Sequence, residues 1–74
     1  MVFPNPGRDK FTFANVSPGD LIEITDLSGK LVHQQIAKDK MAAVELPYVA
    51  KGAYLYRITR NSKEVLRGKL VLQQ

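Results

Sequence analysis

The chain has 74 residues, room for one small domain, and its 45% hydrophobic and 24% charged composition excludes a disordered chain. It has no cysteine, which excludes a disulfide scaffold, a thiolate metal site and a thiol nucleophile. The formal net charge is +4, but its eleven Lys and Arg are scattered among seven Asp and Glu, the pattern of a solvated surface, and no nucleic-acid partner is expected. No apolar run approaches the roughly 20 residues that cross a bilayer, and no charged start leads into an apolar stretch. Met1 runs straight into Val2-Phe3, so a start placed ahead of a fragment of a longer secreted protein is expected, with residues 1–74 as its single terminal domain.

The first extended signal is Val2-Phe3. Pro4-Asn5-Pro6 follows, where two prolines fix φ and remove two backbone donors. The segment is therefore expected to stay out of any ladder and to form a stiff entry, or to blunt an edge. Lys10 to Ala14 alternates, with Phe11 and Phe13 on one face. Asn15 to Asp20 is a turn whose Pro18-Gly19 pair favours type II geometry. Leu21 to Asp26 alternates again, with Ile22 and Ile24 opposite Glu23 and Thr25. Leu27 to Lys30, "LSGK", reverses the chain with Gly29 in the left-handed region.

Lys30 to Ile36 has a mixed phase. Val32, Gln34 and Ile36 share one face, and Leu31 and His33 the other, so the strand is half exposed or carries a bulge. Ala37 to Leu46 is the best helix candidate in the chain, ended by Pro47. Val44 to Leu46 within it also reads as a short strand. After a loop from Pro47 to Gly52, Tyr54, Tyr56 and Ile58 line one face of a long strand. Asn61-Ser62 is a tight hairpin turn. The return strand puts Leu66, Leu70 and Leu72 on one face, with Gly68 leaving a gap there for a neighbouring ring.

About seven short strands, with turns every eight to twelve residues, predict an all-β fold. A small seven-stranded antiparallel immunoglobulin-like β-sandwich fits best, and a small closed barrel is the alternative. Chemistry is scarce. His33 is the single histidine; Asp26 and Glu23 are near it in sequence but belong to a turn and another strand, so a surface histidine is expected rather than a general base or metal ligand. Ser17, Ser28 and Ser62 all lie in turns. Asp20 and Asp26 suit turn geometry better than acid catalysis. Tyr54 and Tyr56 beside Arg57 and Arg60 could form a stacking platform, but their shared face favours burial. No enzyme and no cofactor are expected.

Four segments in order carry a resemblance: "FPNP", "ITDLSGKLV", "KGAYLYRI" and a closing "RGKLVL". Together they resemble the C-terminal sorting domain of type IX secretion cargo proteins, type A, of Bacteroidota. Pro4, Asn5 and Pro6 match the family's opening element. Asp26, Gly29 and Lys30 match its D-x-x-G-K turn, and Gly52 and Tyr54 its G-x-Y strand opening. Lys69 with Leu70, Val71 and Leu72 matches its late lysine and final apolar strand. The chain departs from the family with Asn61-Ser62 where a glycine is common, and with a polar Gln73-Gln74 end.

The resemblance implies a secretion signal domain behind an upstream cargo, read in the periplasm by the type IX apparatus and an outer-membrane shuttle protein. A sortase-like protease then removes it at the cell surface. We expect recognition through the edge strand Lys63 to Leu72, by strand addition or through Arg67 and Lys69. The same edge predicts some homodimer at high concentration. The rival readings are a non-catalytic carbohydrate-binding module using Tyr48, Tyr54 or Tyr56, and a nucleic-acid-binding barrel.

Overall fold

The computed structural model describes residues 1–73; Gln74, read above as part of the polar end, lies outside them. Seven strands are described: β1 (Val2–Phe3), β2 (Lys10–Ala14), β3 (Leu21–Thr25), β4 (Leu31–Ile36), β5 (Met41–Glu45), β6 (Gly52–Arg60) and β7 (Lys63–Leu72). They form a three-stranded sheet, β1-β2-β5, and a four-stranded sheet, β4-β3-β6-β7, with every ladder antiparallel. This is the expected small sandwich. Past the end of β1 a single isolated parallel bridge, Gly7 with Leu72, joins the segment before β2 to β7, and no ladder closes the two sheets into a barrel among the described residues.

The core follows from the alternation of side chains along each strand. Phe11 and Phe13 of β2 and Ala42 and Val44 of β5 come from one sheet. Ile22 and Ile24 of β3, Tyr54 and Ile58 of β6, and Leu70 and Leu72 of β7 come from the other. Phe13 and Tyr56 meet edge to face across the layers, with centroids 5.1 Å apart at 86°. The gap read at Gly68 is filled as expected. Tyr56 lies opposite Gly68 in the ladder, and a Cβ built there would come closer than 3.0 Å to the tyrosine ring and hydroxyl.

The helix candidate over Ala37 to Leu46 is a strand. Ala42, Val44 and Leu46 are buried while Met41, Ala43 and Glu45 are exposed, a period of two. Full pairing of Met41–Glu45 with β2 overrides the helix propensity of "AKDKMAAVEL". The phase of β4 is also resolved. A register shift opposite Ile24/Thr25 pairs His33 with Ile24 and Gln35 with Ile22. His33 and Gln35 therefore share the side of the sheet that carries the core, Val32 at the bulge also packs against that core, and Ile36 is exposed. His33 is half-buried rather than a surface residue. Its Nε2 lies 2.6 Å from Gln35 Oε1, and Gln35 Nε2 donates to the Ala43 carbonyl of the opposite sheet at 3.1 Å.

The turns behave as their residues predict. Asp20 N donates to the Ser17 carbonyl at 3.0 Å with Gly19 at φ 93, the type II arrangement. Gly29 has φ 94, and Asn61 and Ser62 have φ 52 and 65, a type I′ pair that matches the strand twist of the β6–β7 hairpin. The Asn61-Ser62 hairpin defines one end of the sandwich. The β3–β4 turn, the start of β6 and the end of β7 define the other.

Candidate functional site

The segments that carry the motif residues are far apart in sequence, and the fold gathers most of them at the end opposite the hairpin. Gly52 pairs with Leu72, and Tyr54 with Leu70. Thr25, just before Asp26, pairs with Leu55 of the same strand, which brings the Asp26–Lys30 turn to this end. Leu70 and Leu72 are core residues at 0% and 2% exposure, and Tyr54 is buried. These three hold the fold and present no side chain to a partner. The Tyr54 hydroxyl donates to the Ala50 carbonyl and ties down the loop before β6.

At the β3–β4 turn, Asp26 Oδ1 accepts from Ser28 N and Lys30 N at 2.9 Å each and from the Ser28 hydroxyl at 2.6 Å. The Ser28 hydroxyl, then the Lys30 amide, hold this carboxyl below its usual range. The D-x-x-G-K pattern is thus a turn-building device: Asp26 collects the amides and Gly29 supplies the positive φ. Lys30 is left exposed on the turn.

Pro4-Asn5-Pro6 docks along the outer edge of β7. Asn5 Nδ2 donates to the Lys69 carbonyl at 2.8 Å, and Asn5 Oδ1 accepts from Val71 N at 3.1 Å. Gly7 N donates to Val71 O at 3.0 Å and Gly7 O accepts from Gln73 N at 2.8 Å. The prolines contribute no backbone donors, so the asparagine amide stands in for a strand at this edge. Pro4, Asn5 and Pro6 themselves join no ladder, as expected, and backbone pairing begins only at Gly7. The segment is not the entry, however. Ala14 N donates to the Met1 carbonyl at 2.7 Å, so the chain enters beside the end of β2, toward the hairpin.

Gly7 allows this approach. A Cβ there would lie 2.8 Å from the Phe11 ring and 2.9 Å from the Pro4 carbonyl oxygen. Asn5→Ala is expected to leave Val71 N and Lys69 O to water at a cost of about 1 kcal/mol. Hydrogen exchange should show it, with faster exchange at Val71 and little change in β3. Unchanged exchange at Val71 would mean the amide contact does not hold the edge.

The edge expected to receive a partner strand is thus half covered. Asn5 and Gly7 occupy it from Lys69 to Gln73, and only Lys63 to Arg67 has no neighbour on that side among the described residues. A register shift opposite Ile58/Thr59 and the exposed Lys63 and Arg67 blunt that remaining half against a second copy as well. Of the tyrosines, only Tyr48 is fully exposed, at 98%. Tyr54 and Tyr56 pack inward, so the three do not form a sugar-stacking platform. Among the described residues no group of His, Cys, Asp or Glu is placed to hold a metal ion.

One polar pair was not legible in the sequence. Asp20, 1% exposed, accepts from Arg60 Nε and Nη2 at 2.8 and 2.9 Å and from Ser17 N at 2.8 Å. The partners Asp20 and Arg60 are 40 residues apart, so no local spacing announces the pair.

A family model described as a secretion system C-terminal sorting domain matches residues 1–73, nearly the whole chain. The chain belongs to this family. It is a type IX secretion C-terminal sorting signal, of the kind that directs export across the outer membrane to the cell surface or the medium. No curated protein matches it significantly. The sorting domain's motif residues divide by placement: Asp26, Gly29, Gly52, Tyr54, Leu70 and Leu72 build the end of the sandwich, while Lys30 and Lys69 are exposed there.

Proposed function

We propose that the folded sandwich, rather than an isolated strand, is the sorting signal, attached behind an upstream cargo and carried through the periplasm. A type IX apparatus and an outer-membrane shuttle protein read it, and a sortase-like protease removes it at the surface. The domain itself catalyses nothing. The match over residues 1–73 supports this reading. So does the convergence of Pro4–Pro6, the Asp26–Lys30 turn, Gly52 and the end of β7 at one end.

The recognition surface we propose is that end, with Lys30, Arg67 and Lys69 as exposed contacts over a frame of Asn5, Asp26 and Val71. Strand addition is confined to Lys63–Arg67 of β7, because the rest of the edge is covered.

The test fuses the domain and a short linker behind a signal peptide and a fluorescent protein, in a type IX-competent bacterium and in an isogenic strain lacking the apparatus. Fluorescence at the surface or in the medium only in the competent strain is expected. Periplasmic retention of an intact, folded fusion in both strains would overturn the proposal. Deleting Leu70 to Gln74 is unsuitable, since it removes two core side chains. Lys30→Glu with Lys69→Glu keeps the core and should lower export at least several-fold.

A further inference from the structure

The solvent-facing side of the four-stranded sheet has an organisation that extends beyond the proposed recognition end, with which it shares Arg67 and Lys69. Two rows of side chains run across it. One row is Leu31, Thr25 and Leu55, ending at Lys69. The next is Gln34, Glu23, Arg57 and Arg67. Leu31 and Leu55 are 46% and 44% exposed, side by side across Thr25. A groove of about 380 Å³ opens here, lined by Glu23, Thr25, Leu55, Arg57 and Arg67, with Gly29 of the turn as one wall.

Arg57 and Arg67 lie directly opposite each other in the β6–β7 ladder. Like charges in that position are unfavourable. Each is only partly answered. Arg57 gives Nη2 to Glu23 Oε1 at 3.0 Å, and Arg67 gives Nε and Nη2 to Glu64 at 2.7 and 2.6 Å. Arg57 Nε and Nη1 and Arg67 Nη1 have no partner among the described residues. Both guanidinium side chains are well exposed, at 53% and 74%.

We propose that this groove binds an extended acidic segment of a protein partner, a carboxylate across Arg57 and Arg67 and an apolar side chain against Leu55, one row along the same strand. Adjacent rows on one face of a sheet are two residues apart, about 7 Å. Same-face side chains of an extended peptide have that same spacing. The groove therefore selects an acidic residue and an apolar residue separated by one position. The unanswered guanidinium donors make the site complementary to a carboxylate, which a planar fork engages with two bonds.

The test is a ¹⁵N NMR titration of the 74-residue chain. The probe is the capped pentapeptide Ser-Glu-Thr-Leu-Ser. Shifts should centre on the amides of Thr25, Leu55, Arg57 and Arg67. Two control peptides, Ser-Lys-Thr-Leu-Ser and Ser-Glu-Leu-Thr-Ser, should bind several-fold more weakly. The Arg57→Gln/Arg67→Gln variant should weaken the first peptide by about tenfold, equivalent to 1.4 kcal/mol. Arg67→Gln alone, at a more exposed site, serves if the double variant loses spectral dispersion.

Equal binding of the lysine control, unchanged affinity in the arginine variants, or shifts spread over the scattered lysines would overturn the proposal. So would inorganic tripolyphosphate competing at the same amides with affinity unaffected by Leu55→Ser, which would mark an anion site indifferent to the apolar row. None of these results depends on whether the fusion is exported, so this inference and the sorting proposal fail separately.

Discussion

Gly68→Ala is expected to destabilise the domain by about 2 kcal/mol, and Gly68→Val by more, because either side chain must enter space held by the Tyr56 ring. Tyr56 cannot simply swing away, since its ring packs edge to face on Phe13, a fully buried side chain. For a domain of this size the alanine variant should lower Tm by roughly 8–16 °C. A double-mutant cycle isolates the cause. In a Tyr56→Ala background the obstruction is gone, and Gly68→Ala should be neutral or mildly stabilising, since alanine loses less backbone entropy than glycine in a strand. Equal costs in both backgrounds would show that strand geometry, not the ring, demands glycine at this position.

Gly68 also shows what a sequence of this kind discloses. Its place on the apolar face of β7 was visible from period-two alternation, and so was the need for a ring to fill the gap. Phe11, Phe13, Ile22 and Ile24 were legible as core for the same reason, and Gly29 and Asn61 as turn residues from their tolerance of positive φ. Each of these signals is local. The β4 bulge was suggested by a broken pattern, but which side chains turned inward depended on its pairing with β3. The strand at Met41–Glu45 was hidden because alanine and lysine favour helix locally, and pairing with β2 decides otherwise.

The site divides along the same line. The D-x-x-G-K turn could be read because Asp26 acts on amides two and four residues away. Asn5 could not, because its partners on β7 are 64 and 66 residues distant. A lone asparagine between prolines carries no sign of which backbone it will meet. The opposed Arg57 and Arg67 were equally silent, since their juxtaposition depends on the register of the last hairpin.

Asp20→Ala is expected to cost about 2–3 kcal/mol, the toll for leaving part of a guanidinium pair and a buried turn amide unanswered. The cost falls below the roughly 3–5 kcal/mol of a fully buried broken pair because Arg60 is 42% exposed on its side chain and can turn to water. Asp20 does more than pair. Its carboxylate accepts from Ser17 N across the type II turn, and its backbone carbonyl accepts from Ala37 N at 2.8 Å, so it links the β2–β3 turn to the end of β4. Hydrogen bonding from Arg60 holds its carboxyl below the ordinary aspartate value, against the opposing effect of burial.

The sign for stability follows from that direction. A carboxyl depressed on folding contributes fully above its unfolded value, about 3.9, and loses that contribution as pH falls through that value toward the folded one. The gap in unfolding free energy between the wild type and Asp20→Asn should therefore be widest near neutral pH and close steadily below about pH 4. Asp26 and Glu64 are also depressed and give both proteins a common acid slope, so the difference between the two curves reports Asp20 alone. A gap that stays constant from pH 7 to pH 2 in denaturant titrations would show that the charge of Asp20 contributes nothing and that only its shape in the turn matters.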